Sequence, residues 1–196
     1  MRSFTTVLAS ASLLVVSTLA VPNTAWSSNS YGGWGKNKSP SWNPGRDSKC
    51  LSDSEAQTVA ENFQESIAAY SDALADADFT TDFHDYSDSV IELMDNGCPN
   101  SPVALGSATF DSLASFKAGQ GAQPPIDFEI LNIWHNCNTV TVRWKSAQTP
   151  EQVTGIIVIE TSYQNSKWMI QTVYSEFNSG AWLVNLGIFT PTNCTA

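Results

Sequence analysis

Three side chains in the second half of the chain have the types that proton transfer requires. The stretch VYSEFNSGAWLVNLG, residues 173–187, places Tyr174 and Glu176 two positions apart, which on a strand puts both side chains on one face. A desolvated glutamate can act as a general acid or base, and a tyrosine hydroxyl can stabilise a developing oxyanion. His135 titrates near neutral pH and can act as a general base. These three residues are the candidate catalytic groups, and a solvated strand end is the alternative reading of Glu176.

The strand that carries Tyr174 and Glu176 is predicted to belong to a hairpin with a QNSK turn. Pairing Tyr163 with Trp168 across this turn gives one apolar, aromatic face with polar groups at its far end. Such a face is typical of a ligand cavity, and an ordinary core face is the alternative. The predicted pocket residues, from this face and from a helix above it, are Phe63, Ile67, Ile157, Ile159, Tyr163, Trp168, Ile170 and Thr172.

Helices precede strands along the chain. A capping-box pattern and apolar residues at helical spacing predict a long helix over residues 53–75. A short strand is predicted at residues 89–94 and a helix at residues 107–118, followed by a glycine as its stop. Residues 126–146 and 153–177 alternate as two hairpins do. This order predicts an α+β fold in which N-terminal helices cover the concave face of a curved antiparallel sheet.

The composition restricts the partners. The chain has 196 residues, of which 42% are hydrophobic, and its formal net charge is −10. This acidity excludes nucleic acid and anionic lipid surfaces, because both require basic groups on the protein. The chain also lacks the GxSxG, HExxH and nucleotide-binding glycine motifs, so no cofactor is expected.

The N-terminus predicts export. Arg2 precedes an apolar stretch that is too short for a confident membrane span and ends in small residues, so residues 1–20 are interpreted as a secretory signal peptide, with an uncleaved anchor as the alternative. Residues 21–49 are rich in Ser, Asn, Gly and Trp and are predicted to be a flexible leader. The folded domain is expected at residues 50–190 and a short tail at residues 191–196. The predicted location is extracellular.

The cysteines agree with this location. An even count in an exported chain predicts two disulfides, with all three pairings open. A zinc site is the weaker alternative, because no CxxC or HxxxH spacing occurs, and no metal is expected. Asn37 and Asn193 begin possible glycosylation sequons. The cysteines are Cys50, Cys98, Cys137 and Cys194.

Two segments resemble a known superfamily. DYSDSVIEL, residues 85–93, is similar to the segment that enters the first strand of NTF2-like proteins, and LGSATFDSLASF, residues 105–116, resembles their glycine-then-helix step. The resemblance covers roughly residues 51–188. It implies the cone-shaped fold of scytalone dehydratase, ketosteroid isomerase and SnoaL-type polyketide cyclases. The exported four-cysteine form is similar to secreted NTF2-like proteins of filamentous fungi, which share no assigned activity.

The resemblance also implies where catalytic groups belong. In ketosteroid isomerases the general base is an Asp near the end of the first strand, and the matching stretch here places Leu93 at that position, with Glu92 on the opposite face. A leucine cannot accept a proton. The paired histidines of scytalone dehydratase correspond in region to His84 and His135. A homodimer through the outer face of the sheet is implied by the resemblance alone.

The sequence therefore favours a secreted domain that binds a small hydrophobic molecule or an extracellular or cell-wall component. The alternative is a cofactor-independent cyclase, dehydratase or isomerase acting on a polyketide- or terpenoid-like metabolite. Burial of Tyr174 and Glu176 in an enclosed cavity is the observation that separates these two hypotheses.

Overall fold

Five strands form one curved sheet in the order β1-β5-β4-β3-β2. The computed structural model describes residues 49–98 and 102–192, all of which belong to a unit that begins at Arg46. Strand β1 pairs with β5 in parallel, and the other neighbours are antiparallel, so the predicted meander is confirmed and one parallel edge strand is added to it. The strands are β1 (Phe79–Tyr86), β2 (Glu129–His135), β3 (Thr139–Ser146), β4 (Val153–Gln164) and β5 (Lys167–Phe177).

Serine residues fix where most of the helices begin. In four of the five helices within the described ranges, the residue before the helix is a serine whose hydroxyl accepts a backbone N–H of the first turn. Each of these four helices begins at the residue that follows its serine cap. Each helix of the described ranges is too short or too polar to cross a membrane. The helices are α1 (Asp53–Ala68), α2 (Asp72–Asp78), α3 (Asp88–Met94), α4 (Leu113–Gly121) and α5 (Ser179–Asn185).

The helix predicted at residues 53–75 is in fact two helices. The capping box at Ser52 is confirmed, but α1 ends at Ala68, because Ala69 leaves the helical region of backbone conformation. Ser71 then caps α2 by accepting the N–H of Leu74. A serine inside a helical pattern can compete in this way, since its hydroxyl offers the backbone an alternative partner.

The strand predicted at residues 89–94 is wrong. These residues form α3, because Ser87 accepts the N–H of Val90 and begins a helix. The first strand lies earlier, in the acidic stretch before α3. There Phe79 and Phe83 are buried in the core, whereas Thr81 and Asp82 between them are exposed.

The second predicted helix starts later than expected and continues past its expected stop. Ser112 caps α4 together with Ser115, and the helix extends to Gly121. Gly119 is a packing position, because a Cβ atom there would lie 2.5 Å from the Phe110 ring. The close approach of this ring explains the glycine better than a helix end does.

The core lies between the concave face of the sheet and the helices. Phe116 of α4 stacks on Phe79 at 5.0 Å between ring centroids and contacts Phe83 edge-on. At the other side of the sheet, Phe128 stacks on Trp144 at 4.5 Å. These two aromatic clusters leave a space between them, which is the cavity described below.

The described residues contain one disulfide. Cys50 and Cys137 are bonded, which joins the start of the domain to the turn between β2 and β3. Cys98 is exposed and has no disulfide partner within the described residues. Cys194, both sequons, the signal peptide and the leader up to residue 48 lie outside the described residues.

Candidate functional site: an apolar cavity with one buried carboxyl group

A cavity of about 460 Å³ lies between the concave face of the sheet and the helices. Its walls are mostly aliphatic and aromatic, and its polar groups are few. Both properties are typical of sites for small molecules. The lining residues come from α1 (Phe63, Ile67), β1 (Asp85), α3 (Val90, Leu93, Met94), the segment before α4 and α4 itself (Phe110, Phe116, Gln120), the following loop (Gln123, Pro124, Pro125, Ile126, Phe128), the sheet and the loop after β3 (Trp144, Gln148, Ile157, Ser175, Phe177), and α5 with the residue after it (Trp182, Leu186).

Asp85 is the only ionisable side chain among these lining residues. It is 6% exposed, and its Oδ1 has no hydrogen-bond partner among the described residues. Its backbone is held firmly, because its N–H donates to Phe110 O at 2.9 Å and its carbonyl accepts from Thr109 at 2.8 Å. The backbone is thus fixed, while Oδ1 of the carboxyl group lacks a partner within the described residues.

This environment changes the acidity of the carboxyl group. Burial raises the pKa of Asp85 to about 7, and the negative charge of Glu176 adds to the increase. A carboxyl group with a pKa near neutrality is well matched to donating and accepting protons in the physiological range. Strongly shifted groups in a cavity are candidates for functional residues.

Other polar groups could orient a bound molecule. Ser175 and Gln120 are buried and line the cavity. Trp144 is 3% exposed, and its Nε1–H has no acceptor within the described part of the chain. Gly155 allows the indole to lie across β4, because a Cβ atom there would be 2.7 Å from Trp144 Nε1.

A β-bulge in β5 decides which side chains face this cavity. Thr161 pairs with Ile170, but the preceding Glu160 pairs with Thr172, so Gln171 is an extra residue. One extra residue reverses the alternation of side chains along the rest of the strand. The inward positions after the bulge are therefore Val173, Ser175 and Phe177, and the predicted face is correct only as far as Ile170.

Tyr174 and Glu176 consequently lie on the opposite face of the sheet, and the expectation that they face the cavity is wrong. Tyr174 is 43% exposed and stacks on Tyr86 at 5.4 Å. Glu176 is exposed and accepts hydrogen bonds from the N–H groups of Asp88 and Ser89 and from the Ser89 hydroxyl. Its carboxylate therefore holds the first turn of α3 against the sheet.

His135 is not part of the cavity lining either. Its Nε2 lies 2.9 Å from Asp53 Oδ1, at the start of α1, and this carboxylate raises the pKa of His135. The contact lies two residues from Cys137 and ties the same two parts of the chain as the disulfide does. The structure thus does not bring His135, Tyr174 and Glu176 together.

The predicted pocket residues divide between the cavity, the core and the surface. Phe63, Ile67 and Ile157 line the cavity. Tyr163 is 42% exposed and lies beside Lys49 in a shallow groove. The four others are not lining residues: Ile159, Trp168 and Ile170 are buried in the core, and Thr172 pairs with Glu160 and His84.

The sequence did not lead to Asp85 as a candidate site residue. With the first strand at Phe79–Tyr86, the acidic residue near its end is Asp85, and Leu93, expected at this position, belongs to α3. A signal was available, because Phe79, Phe83 and Asp85 share one parity on a strand, and Ser87 marks the start of a helix.

The fold and the cavity define a class: an α+β cone that encloses one apolar site. The chain belongs to the NTF2-like family, since the model of the NTF2-like domain matches residues 49–189. No curated protein matches the sequence. Within residues 49–98 and 102–192, no group of three or more His, Cys, Asp and Glu side chains could hold a metal ion.

Several solved structures are similar to this chain. IdmH from Streptomyces antibioticus, a candidate polyketide cyclase, is 11% identical over 68% of this chain and 99% of its own, with a TM-score of 0.49. A SnoaL-like protein of unknown function from Burkholderia thailandensis is 9% identical over 65% and 98%, with a TM-score of 0.48. A candidate ketosteroid isomerase from Kribbella flavida is 9% identical over 64% and 78%, with a TM-score of 0.47.

Proposed function

We propose that this protein binds a small, largely apolar molecule in the cavity and exchanges a proton with it through Asp85. The observation that carries the proposal concerns the described residues: one buried carboxyl group, whose Oδ1 has no hydrogen-bond partner among them, is the only ionisable side chain in their mostly apolar lining. The volume of about 460 Å³ falls within the range of small-molecule sites. The family supports a function of this kind.

Proton exchange follows from the position of the carboxyl group. Near neutral pH both forms of Asp85 are populated, so it can accept a proton from a bound molecule and return it. The walls keep bulk water away from the reacting atoms, which strengthens every electrostatic interaction inside the cavity. Ser175, Gln120 and Trp144 supply hydrogen-bonding groups that fix the orientation of the ligand.

A cofactor-independent cyclase, dehydratase or isomerase is the second candidate function. The observation that favours it is the place of Asp85 near the end of β1, where the resemblance to ketosteroid isomerases implies a general base. In such a reaction the carboxylate would remove a proton from carbon and the resulting acid would return it elsewhere. General acid–base catalysis of this kind contributes about 10²–10⁴-fold to a rate.

Binding is tested with the neutral dye Nile red and a matched pair of variants. Ile157 lines the cavity, and its neighbour Ile156 is exposed on the other face. Ile157→Trp fills the cavity, so we expect dye affinity to fall roughly tenfold or more, while Ile156→Trp leaves it unchanged. Leu186→Trp changes an exposed lining position and leaves the core intact, and we expect it to weaken dye binding as well. Equal dye affinity in all of these variants would contradict the proposal.

Catalysis is tested with 2-tetralone, an apolar ketone with acidic α-protons. NMR in deuterated buffer measures the exchange of these protons. The wild-type chain is expected to accelerate exchange, and Asp85→Asn is expected to abolish the acceleration while retaining Nile red binding. A rate that is unaffected by Asp85→Asn contradicts proton exchange through Asp85, and with it the acid–base reaction, and leaves only the binding function.

The proposal places the protein outside the cell. The composition of residues 1–20 and the Cys50–Cys137 disulfide support export into an oxidising compartment. The second bridge of the exported form would join Cys98 to Cys194, the two cysteines that remain. Thiol labelling of the native protein from the culture medium is expected to find no reactive cysteine. An extracellular or cell-wall partner and a homodimer stay predictions.

A further inference from the structure

We infer that the preferred ligand of the cavity is a hydrophobic amine, with an apolar body against the walls and a cationic, hydrogen-bond-donating head on Asp85. This inference rests on the proposed function, because it names the ligand class of the same site. Its first observation concerns the hydrogen bonding of the Asp85 carboxyl group. A buried carboxylate is costly unless it is paired or hydrogen-bonded, and Asp85 Oδ1 has no partner among the described residues.

The described part of the chain has no spare cation for this role. Each of its four lysines is already in an ion pair: Lys49 with Glu55, Lys117 with Asp76, Lys145 with Glu129 and Lys167 with Asp78. None of these lysines lines the cavity, and neither does Arg143 or a histidine. The charged group that acts on Asp85 from the neighbouring strand is Glu176, which has the same sign. Within the described residues, no positive charge is available to the carboxylate form of Asp85, so a cationic ligand is the partner that this form accepts.

Other head groups fit this environment less well. A carboxylate or phosphate would be repelled by Asp85 and Glu176 and would meet no basic group in the lining. A ketone can only accept a hydrogen bond, so it pairs with the protonated carboxyl group and leaves the carboxylate unsatisfied. A hydroxyl group can donate, but a charge-assisted hydrogen bond is about twice as strong as a neutral one.

The apolar walls set the rest of the molecule. Phe63, Phe116, Ile157 and Phe177 contribute large apolar surfaces, and the cavity volume is about 460 Å³. A compact, ring-containing body buries most of its surface in such a space. The remaining donors and acceptors of the lining are amides, a hydroxyl and indole N–H groups, which suit a second, uncharged polar group on the ligand.

A series of probes with one body and three heads tests the inference. The probes are 2-aminotetralin, 2-tetralol and tetralin-2-carboxylic acid, which at about pH 8 are cationic, neutral and anionic. Their affinities for the full chain are measured by calorimetry and by displacement of Nile red. We expect the amine to bind roughly tenfold or more tightly than the alcohol, and the acid to bind least.

Two variants locate the source of this selectivity. Asp85→Asn is expected to remove the advantage of the amine while leaving the affinity of the alcohol within about threefold. Glu176→Gln, a carboxylate exchanged on the other face of the sheet, is expected to preserve the order of the three probes. A tenfold preference for the amine that persists in Asp85→Asn overturns the inference.

The outcomes separate this inference from the proposed function. If the alcohol binds in the cavity and the amine binds no more tightly, the ligand class is wrong and the binding function stands. If no probe displaces the dye and Ile157→Trp does not weaken dye binding, the proposed function itself is wrong, and the ligand class falls with it.

Discussion

Asp85 and Glu176 are carboxylic acids on neighbouring parallel strands, β1 and β5, and they face opposite sides of one sheet. Glu176 is exposed and accepts three hydrogen bonds from the start of α3. Asp85 is buried, and its Oδ1 has no partner within the described residues. The Glu176 carboxylate holds the start of α3 against the sheet, whereas the Asp85 carboxyl group is available to a ligand. Burial without partners, and not residue type, distinguishes the candidate site from its support.

The largest expected effect comes from Asp85→Asn. Because folding raises the pKa of Asp85 from 3.8 to about 7, the folded chain retains a proton that the unfolded chain has lost, and stability falls as pH rises through this window. The variant removes that loss. We expect it to be more stable than the wild type by up to about 4 kcal/mol above pH 7 and by nearly nothing below about pH 4.

Urea unfolding at both pH values measures this difference. A stability gain of Asp85→Asn that is the same at both pH values would show that Asp85 does not titrate between them, and the comparison of the two acids would fail.

Gly155→Ala tests how closely the inner face is packed. A Cβ atom there would lie 2.7 Å from the Glu176 carbonyl oxygen, Phe177 Cβ and Trp144 Nε1, so we expect a loss of about 1–3 kcal/mol in the free energy of unfolding. Gly180→Ala in α5 is the matched control, because nothing lies within 4 Å of its Cβ position. We expect this control to be neutral or slightly stabilising. Equal effects of the two substitutions would contradict the packing described for β4.

Glu176→Gln is expected to cost about 1 kcal/mol, because it weakens the cap on α3. It also removes a negative charge near Asp85, so the pKa of Asp85 is expected to fall. Chemical denaturation measures the first effect, and NMR titration of the Asp85 carboxyl carbon measures the second. A rise in the pKa of Asp85 would exclude the described arrangement.

Tyr174→Phe has the smallest expected effect. The ring stack on Tyr86 survives the substitution, and the ring is on the outer face of the sheet. Stability is expected to change by less than about 0.5 kcal/mol, and the affinity for Nile red is expected to be unchanged. Loss of dye binding in this variant would contradict the placement of Tyr174 outside the cavity.

The fold was largely accessible from the sequence, because its main signals are local. Alternation and a polar turn predict the β4–β5 hairpin, and the structure pairs Tyr163 with Trp168 as expected. The capping box predicts the start of α1. The first strand was hidden, because it lies in a stretch rich in aspartate and pairs with a strand almost 90 residues later, as Asp85 does with Val173.

The candidate site was less accessible, because it depends on two non-local facts. The bulge at Gln171 follows Ile170 in an ordinary strand sequence, without the glycine or proline that would mark it. The burial of Asp85 depends on helices and loops that are far from it in sequence, such as those that carry Phe116 and Trp182. An aspartate in an acidic stretch is usually solvated, so the composition of the stretch does not predict that Asp85 is buried.

The bulge in β5 also bears on how such a cavity can change. Because Gln171 is the extra residue, its deletion would restore regular alternation and would keep Val173, Ser175 and Phe177 inward. If β5 instead kept Gln171 and paired without a bulge, Thr172 would lie opposite Ile159, and Tyr174 and Glu176 would turn inward. The bulge thus selects which residues of β5 form a wall of the cavity, while the sequence of the strand stays the same.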